Sequence, residues 1–344
     1  MYRSNGYSLQ FKMTQSQNKN LHKAKKEKND EFYTQLIDIE NELKHYKDHF
    51  RGKTVLCNCD DPRISNFFHY FSYNFEHLGL KKLITTCYKN QEVDLFSTKQ
   101  SERAIYLEYD GNKHGGTVPK VEEIGVKWFK GDGDFRSAEC IELLKQADII
   151  VTNPPFSLFR EYVSQLVEYD KKFIIIGNQN AITYKEIFKL IKEDKLWLGC
   201  CNGDKAFKVP IWYEEKSTRF WIDNTGQKWR SIGNSVWFTN LDHNKRHEDL
   251  ILYKKYTAEE FPHYDNYNAI NVDQVKDIPL DWQGAMGVPI TFLDKYNPEQ
   301  FEILGIMNSG EQNEGIRYPN TPHGRPVVNG KEIYFRIIIK NKKI

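Results

Sequence analysis

The sequence predicts an α/β fold: a doubly wound, mostly parallel, Rossmann-like sheet with an appended mixed C-terminal region. Short apolar runs alternate with amphipathic helical segments between residues 54 and 191, as expected for a sheet with helices on both faces. After about Leu196 the chain changes to short aromatic and β-branched segments broken by Gly, Asn and Pro. We therefore expect a disordered Lys-rich tail over residues 1–29, a first domain over 30–200, and a region over 201–344 that completes the sheet.

The helix and strand signals of the first domain follow one another along the chain. Apolar residues from Phe32 to Phe50 recur at spacings of three and four, which predicts a helix whose first turn is capped by Asn29 or Asp30. Strands are predicted at residues 54–57, 82–87, 104–108, 148–152 and 173–176. Helices are predicted at 64–78, 137–146, 158–167 and 183–191.

The composition excludes several classes of protein. The 344 residues are 39% hydrophobic and 28% charged, which is typical of a globular protein. No apolar run approaches the roughly 18 to 20 residues that span a bilayer, and the first residues lack the apolar segment of a secretory signal, so we expect a cytoplasmic protein. The six cysteines lack paired C-x-x-C spacing, which predicts reduced thiols and no metal site.

A formal net charge of only +2 means that any binding to a polyanion depends on local patches. One such patch is indicated between residues 185 and 255, where basic and aromatic residues are interleaved. Its candidate nucleic-acid contacts are Lys205, Lys208, Arg219, Lys228 and Arg230. The alternative is a solvated basic face over an aromatic core.

The most informative stretch is Asn153-Pro154-Pro155-Phe156, which follows the predicted strand at 148–152. Open α/β sheets bind their ligands at the carboxyl ends of such strands. The two prolines remove backbone donors and stiffen the turn, so that the Asn153 side-chain oxygen and the Pro154 carbonyl can face one amino group. Phe156 adds a flat surface on which a planar base can stack.

These residue types suit the methylation of a base amine. An exocyclic amine is a poor nucleophile because its lone pair is delocalised into the ring. Accepting both of its N–H bonds draws the nitrogen toward a tetrahedral form and stabilises the positive charge that develops during attack. A sulfonium cofactor supplies the reactive carbon, and no metal is needed. The motif in this context favours catalysis over a Pro-Pro pair that merely ends a strand.

Further segments occur in the order found in one family. They are Asp30–Thr34, Cys57–Pro62, Gly131–Arg136, Trp237–Leu241, Gly287–Leu293 and Lys295–Pro298. Together with the catalytic segment Asn153–Arg160, they resemble the EcoRI-type adenine-specific DNA methyltransferase family from about Asp30 to the C-terminus. The resemblance implies a site-specific adenine N6-methyltransferase of restriction-modification or phage type. It would use S-adenosylmethionine and flip its target out of double-stranded DNA, with any companion restriction endonuclease acting separately. The order of the segments, with the cofactor loop before the catalytic motif and a DNA-recognition region over 201–344 after it, predicts a monomer on duplex DNA.

The resemblance also implies a cofactor site near the first strand. Phe32, Tyr33 and Thr34 would pack beside the cofactor. The next loop carries Asn58, Asp60 and Asp61 in place of the glycine-rich turn of most methyltransferases. A carboxylate of Asp60 or Asp61 would pair with the cofactor's ammonium group, although Asp61 alternatively only caps the following helix.

The acidic loop before the catalytic strand would complete the cofactor site. Asp134 is the candidate to accept a hydrogen bond from the adenine amine of the cofactor, and Phe135 would lie against the adenine ring. Asp132 either binds the cofactor as well or only stabilises the turn. The acid that usually binds the ribose after the second strand is not evident. Glu108 or Asp110, after the next strand, is the candidate substitute.

A flipped adenine needs a second aromatic wall opposite Phe156. We nominate Phe238, with Trp237 as the alternate, because alternation along a strand sends the two side chains to opposite faces of the sheet. Alternatively, both are core residues of a late strand.

The sequence leaves three alternative functions open. The same turn also methylates base amines in RNA or a glutamine amide in protein. A binding-only relative that has lost activity is the third alternative, supported by the unusual cofactor loop alone.

Overall fold

The structure is a computed structural model of the 344-residue chain. It describes residues 34–58, 61–63, 65–88, 104–112, 121–209, 211, 213–231, 233–308, 317–318 and 324–344. The predicted tail over residues 1–29 and the predicted cofactor residues Phe32, Tyr33 and Asp60 lie outside this part of the chain.

The helices and strands of the described residues agree closely with the sequence signals. The helices are α1 (Leu36–Leu43), α2 (Asn66–Tyr73), α3 (Phe75–Leu78), α4 (Val121–Ile124), α5 (Ala138–Gln146), α6 (Phe159–Glu168) and α7 (Lys185–Lys192). The strands up to residue 200 are β1 (Thr54–Asn58), β2 (Lys82–Cys87), β3 (Ile105–Tyr109), β4 (Lys127–Trp128), β5 (Ile149–Thr152), β6 (Lys172–Asn178) and β7 (Trp197–Leu198). The later strands are β8 (Ala206–Lys208), β9 (Phe220–Ile222), β10 (Lys228–Ser231), β11 (Ser235–Thr239), β12 (Ile270–Asn271), β13 (Met286–Pro289), β14 (Phe301–Ile306), β15 (Val327–Val328), β16 (Lys331–Glu332) and β17 (Arg336–Asn341).

The central sheet has eight strands in the order β4-β3-β2-β1-β5-β6-β11-β7. Its middle strands β2, β1, β5 and β6 pair in parallel. β3 and β11 run the other way, and β4 and β7 are antiparallel to them in turn, so six of the eight strands share one direction. The predicted α/β fold with a mostly parallel sheet is confirmed.

Different helices cover the two faces of this sheet. Along β1, Val55 packs in a core cluster with α1, α2 and α3, whereas Leu56 packs in a cluster with α5, α6 and α7. This division follows from the alternation of side chains along a strand. In the apolar stripe predicted for the first helix, Ile39, Leu43, Tyr46 and Phe50 are buried and Leu36 is half-buried. The helix continues from α1 into a 3₁₀ helix that ends at Phe50.

The region after residue 200 extends the central sheet and adds three smaller sheets, of which β15 and β16 form the smallest, with two antiparallel strands. β11 and β7 lie beyond β6 in the central sheet. β8, β10 and β9 form a three-stranded antiparallel sheet, which we call the ribbon. β12, β13, β17 and β14 form a four-stranded sheet whose apolar residues join the same core cluster as α7. No helix of the described residues is long and apolar enough to cross a membrane.

Candidate active site

The carboxyl ends of the parallel strands meet at one edge of the central sheet. Asn58 ends β1, Asn153 follows β5 and Tyr88 follows β2. Because neighbouring strands are about 5 Å apart and β1 pairs with both β2 and β5, these chain ends lie side by side. The predicted catalytic turn and the predicted cofactor loop are therefore adjacent.

Hydrogen bonds join the end of β1 to the catalytic strand and to its helix. The Thr152 hydroxyl donates to the Asn58 carbonyl oxygen, and the Tyr162 hydroxyl on α6 donates to the Asn58 side-chain oxygen. All three residues are buried. Asn58 is thus fixed between the two elements that flank the catalytic turn.

Asp61, in the loop after β1, pairs with the arginine two residues later. Its Oδ1 accepts hydrogen bonds from the backbone N and the Nε of Arg63, each at 2.9 Å, and Nη2 of Arg63 also binds the carboxylate. The side chain of Asp61 is 3% exposed and that of Arg63 is 40% exposed. α2 is capped by Ser65, whose hydroxyl accepts from the backbone N of Phe68, so the alternative that Asp61 caps this helix is wrong.

Thr34 lies against the first turn of α2. Its carbonyl oxygen accepts a hydrogen bond from the side chain of Asn66 at 2.7 Å. In the turn just before Asn66, the backbone N of Ser65 donates to the Asp61 carbonyl at 2.8 Å. The Thr34 hydroxyl is buried and has no hydrogen-bond partner within the described chain. Because buried hydroxyls nearly always have partners, this one fits a ligand contact.

The acidic loop reaches the same edge through Gly133. This glycine has a φ of 74°, and a Cβ there would lie 2.9 Å from the carbonyl oxygen of Cys87, at the end of β2. Only glycine fits both the conformation and the space. The carboxylate of Asp132 accepts from the backbone N of Asp134 at 3.0 Å, and this bond closes the turn.

Asp134 and Arg136 repeat the arrangement of Asp61 and Arg63. Asp134 Oδ1 accepts from the backbone N and the Nε of Arg136, each at 2.9 Å, and Oδ2 accepts from Nη2 at 2.7 Å. The third guanidinium nitrogen, Nη1, donates to Glu161 on α6 at 2.8 Å. The hydrogen bonds from Arg136 to Asp134, together with the charge of Glu161, raise the pKa of Arg136.

α6 holds the acidic loop at two further points. The ring of Phe135 meets the ring of Tyr162 edge-on, with centroids 5.1 Å apart. The side chain of Gln165 donates to the Phe135 carbonyl oxygen at 3.1 Å. The helix that follows the catalytic turn therefore binds both predicted cofactor loops, one through Asn58 and the other through Phe135.

The predicted catalytic turn leads directly into this helix. Asn153 is buried and Phe156 is half-buried. The backbone N of Leu158 donates to the Pro155 carbonyl at 3.0 Å, which closes a 3₁₀ turn over Phe156–Leu158 before α6 begins. Phe156 packs partly against the core cluster around α1 and α2 and keeps part of its surface exposed.

The assignment of Glu108 or Asp110 to the ribose was wrong. β3 is antiparallel to β2, so its carboxyl end lies at the opposite edge of the sheet, beside the first residue of β2. There Glu108 pairs with Lys82 and Lys127. Burial alone would raise the pKa of Glu108, but the hydrogen bonds from the two lysines lower it overall. Glu108 is therefore a structural acid.

Trp237 and Phe238 lie in the core and cannot stack on a base in this structure, so their nomination was wrong. Both side chains are 0% exposed. They point to opposite faces of the sheet, as alternation predicts: Phe238 packs on Phe159 with ring centroids 5.0 Å apart, and Trp237 packs edge-on to Phe67 at 6.4 Å. The alternative that both are core residues is correct.

The five predicted DNA contacts differ in exposure. Lys205 is buried, its ammonium group donates to the Cys201 carbonyl at 2.8 Å, and desolvation lowers its pKa, so its assignment to DNA was wrong. Lys228 and Arg230 are half-buried, and each donates to a backbone carbonyl. Lys208 and Arg219 are exposed, and Arg219 also pairs with Asp204 at 2.9 Å.

Three residues that organise the site were not predicted from the sequence: Arg63, Arg136 and Tyr162. A signal for the arginines was present, because both loops end in the same spacing, Asp61-Pro62-Arg63 and Asp134-Phe135-Arg136. No such signal pointed to Tyr162, whose contact with Asn58 spans 104 residues.

Comparison with known proteins identifies the family. The sequence matches the family described as Adenine-specific methyltransferase EcoRI over residues 20–342. The chain belongs to this family. The Type II methyltransferase M.EcoRI of Escherichia coli is 54% identical over 331 residues, which cover 95% of this chain and 98% of M.EcoRI. The resemblance and the enzyme class that the sequence predicted are confirmed.

Two further relatives match this chain over a similar length. The Type II methyltransferase M.MgeORF184P of Mycoplasma genitalium is 40% identical over 337 residues, covering 94% of this chain and 98% of the relative. M.MpnI of Mycoplasma pneumoniae is 40% identical over 332 residues, covering 93% and 98%.

Proposed function

We propose that this EcoRI-type methyltransferase transfers a methyl group from S-adenosylmethionine to N6 of an adenine flipped out of double-stranded DNA. The observation that carries this proposal is the Asn153-Pro154-Pro155-Phe156 turn, which leaves β5 beside the end of β1. The acidic loop reaches the same edge, because Gly133 packs against the end of β2. One edge thus brings together the groups that we propose bind the cofactor and the target base.

The residues at this edge fit a nucleoside cofactor with an amino-acid tail. Thr34 contributes a buried hydroxyl without a partner in the described chain. Asp134 contributes a carboxylate that accepts a hydrogen bond from the adenine amine of the cofactor, and Phe135 contributes a ring that packs against the cofactor's adenine. Asp61 contributes a carboxylate that pairs with the cofactor's ammonium group. When bound, S-adenosylmethionine supplies an electrophilic methyl carbon on a positively charged sulfur.

Asn153 and Pro154 prepare the target amine. Their carbonyl oxygens accept its two N–H bonds, which localises the lone pair on N6 and stabilises the positive charge that develops there. Phe156 stacks on the base and orients N6 toward the methyl carbon. With S-adenosylmethionine bound, its methyl carbon would be the electrophile for N6, and the proton that N6 loses would pass to solvent.

Transfer of a labelled methyl group tests the function. Purified protein, methyl-labelled S-adenosylmethionine and mixed-sequence duplex DNA should give labelled DNA, and nuclease digestion should yield the label as N6-methyladenine. Label on RNA or on a glutamine-containing protein, with none on DNA, would instead support one of those substrates. Cofactor binding without transfer to any of the three would support the binding-only alternative.

The outer face of the ribbon is our proposed DNA contact. The inner face packs on the core through Phe207 and Phe220. On the outer face, the strand register places Lys208, Trp229 and Trp221 in one row. The two indole rings are stacked at 6.2 Å with 1° between their planes, and the Lys208 ammonium lies 5.5 Å from the Trp229 ring. A flat aromatic surface beside exposed Lys208 and Arg219 suits a sugar-phosphate strand.

Truncation of two of the three residues in this row should weaken DNA binding. The double variant Lys208→Ala/Trp221→Ala should bind DNA less tightly and show a salt dependence shallower by about one phosphate contact, because one ammonium group is lost. Fluorescence titration at several salt concentrations gives both quantities. Lys145→Ala/Trp128→Ala is the matched control, since both residues are exposed and lie outside the ribbon. An equal salt dependence of DNA affinity in the two double variants would support the alternative that the ribbon is only a solvated basic face.

We further propose that the protein acts as a monomer in the cytoplasm, where its DNA substrate is found. A companion restriction endonuclease of the same target sequence would act separately, on copies of the target that carry no methyl group. The supporting observation is that the three relatives are Type II methyltransferases.

A further inference from the structure

Arg160 is an exposed arginine close to the predicted catalytic turn. It lies in the first turn of α6, four residues after Phe156. Within the described chain its guanidinium forms no hydrogen bond and no ion pair, and it lies over the ring of Tyr184, 4.9 Å from the ring centroid. We infer that Arg160, supported by Tyr184, binds a backbone phosphate next to the flipped adenine. The inference rests on the proposed function and adds to it a DNA contact separate from the ribbon.

The absence of an acidic partner distinguishes Arg160 from most arginines of the described chain. Those that pair with a carboxylate are Arg63, Arg136, Arg219, Arg246, Arg325 and Arg336. Glu161, the acid next to Arg160 in the sequence, is bound by Nη1 of Arg136 at 2.8 Å. A carboxylate occupies the N–H donors of a guanidinium, whereas contact with the face of a ring leaves them available. Arg160 therefore offers a positive charge and open donors to an anion.

Tyr184 holds this guanidinium near the carboxyl edge of the central sheet. It follows the 3₁₀ turn at the end of β6 (Gln179–Thr183) and precedes α7. Its carbonyl oxygen accepts a hydrogen bond from the backbone N of Phe188 at 2.8 Å, so its backbone is fixed to the first turn of α7. A long side chain that already rests on a ring loses less entropy when it binds a ligand, and this favours affinity.

The strand order places Arg160 on the side of the catalytic turn that is away from the predicted cofactor loops. Those loops lie at the ends of β1 and β2, whereas Tyr184 follows β6, which is the neighbour of β5 on the other side. A carboxylate of the cofactor is therefore not the anion that we expect at Arg160. A flipped nucleotide stays joined to its strand through the phosphates on either side of it. A base held by the catalytic turn thus brings phosphates close to α6.

The ribbon and Arg160 belong to opposite faces of the central sheet. Phe207 of the ribbon packs in the core cluster of α1 and α2, whereas Phe159, next to Arg160, packs in the cluster of α7. Contacts from both faces would hold a duplex across the carboxyl edge. Phosphate contacts fix the orientation of a duplex on a protein without reading its sequence. Arg160 would thus position the target adenine at the catalytic turn.

Titration of DNA into variants of the full chain measures the size of this contact. Arg160→Met should lower the affinity for duplex DNA about 10-fold and make its salt dependence shallower by about one phosphate. Arg160→Lys should keep the salt dependence and recover only part of the affinity, because an ammonium group lacks the paired donors of a guanidinium. Tyr184→Leu should cause a smaller loss than Arg160→Met, and Tyr184→Phe a smaller loss still, because it keeps the ring.

Ethylation interference locates the phosphate. The probe is a duplex that carries the sequence methylated by the wild type, lightly ethylated on its phosphates so that each modified phosphate loses its charge. In the wild type, ethylation of the phosphates next to the target adenine should weaken binding. In Arg160→Met, ethylation of one of these phosphates should no longer matter, while the other sensitive phosphates stay sensitive.

Arg51→Met is the matched control, because Arg51 is an exposed arginine that precedes β1 at the opposite edge of the sheet. It should change neither the DNA affinity nor the interference pattern. A wild-type pattern in Arg160→Met would overturn the inference, as would a change only at phosphates remote from the target adenine. Weaker binding of S-adenosylmethionine in Arg160→Met, with the interference pattern unchanged, would place Arg160 in support of the cofactor site instead. If the wild type methylated no DNA, the proposed function itself would fail.

Discussion

Asn153→Ala should lower kcat by about 10²- to 10³-fold, the loss that follows removal of one preorganised electrostatic contact in an active site. Asn153 is buried at the carboxyl end of β5, where its side-chain oxygen is proposed to accept an N–H bond of the target amine. Without that acceptor the amine stays conjugated with the ring and its positive charge is less stabilised. Single-turnover methyl transfer with saturating DNA measures the effect without interference from product release.

Asn153→Asp is the matched control because it keeps the side-chain oxygen at the same place. It should retain more activity than Asn153→Ala, and neither change should alter the calorimetric affinity for S-adenosylmethionine by more than a few fold. Near wild-type turnover in Asn153→Ala would show that Asn153 is not a catalytic residue. A large loss of cofactor affinity in both variants would mean that Asn153 belongs to the cofactor site instead.

The local part of this fold could be predicted from the sequence because its signals are local. The strand predicted at residues 82–87 is β2, and the helix predicted at 137–146 is α5, with Ser137 as its cap. Apolar runs and 3.6-residue periodicity depend on near neighbours alone. The proposed catalytic turn was equally visible, since its proposed chemistry depends on four consecutive residues.

Strand direction could not be predicted in the same way. The strand near Leu107 has the same kind of apolar signal as the parallel strands, but it is antiparallel to β2. Direction depends on how the chain returns to the sheet, and local composition does not encode that. The error moved Glu108 and Asp110 to the wrong edge, and with them the proposed ribose site.

The burial of polar and aromatic residues was the second feature that the sequence did not predict. Lys205 lies in an exposed-looking basic stretch, yet it is only 6% exposed, and its ammonium donates to the Cys201 carbonyl. Nearby, Glu42 is fully buried and accepts from the backbone N of Cys200 and from the hydroxyl of Tyr46. Contacts between α1 and the turn after β7 are long-range, so no local pattern reveals them. A charged residue is a nucleic-acid contact only if the fold leaves it exposed.

Phe156 and Phe238 offer a direct comparison, because one aromatic ring is proposed to bind the target base and the other fills the core. Phe156 is half-buried beside the catalytic turn. Stacking of a base on an aromatic ring contributes about 1–3 kcal/mol, so Phe156→Ala should lower kcat/KM for duplex DNA about 5- to 150-fold. Its melting temperature should change little, since the ring fills only part of a core site.

Phe238→Ala should have the opposite pattern. Its ring is 0% exposed and packs on Phe159, so truncation leaves a cavity and costs about 3–5 kcal/mol of stability. Activity per folded molecule should stay near that of the wild type at low temperature. Thermal unfolding and steady-state kinetics on the same samples separate the two effects.

A mismatched target base makes the comparison specific for base flipping. Stacking on Phe156 offsets the few kcal/mol needed to extrude a paired adenine. When the target is mismatched, extrusion is already easy, and the bound base is mostly extruded with or without the stacking contact. Phe156→Ala should therefore impair transfer to a paired target more than to a mismatched one, whereas Phe238→Ala should affect both equally. An equal loss on both substrates in Phe156→Ala would mean that its ring supports the turn rather than the flipped base, and the base would then need another aromatic partner.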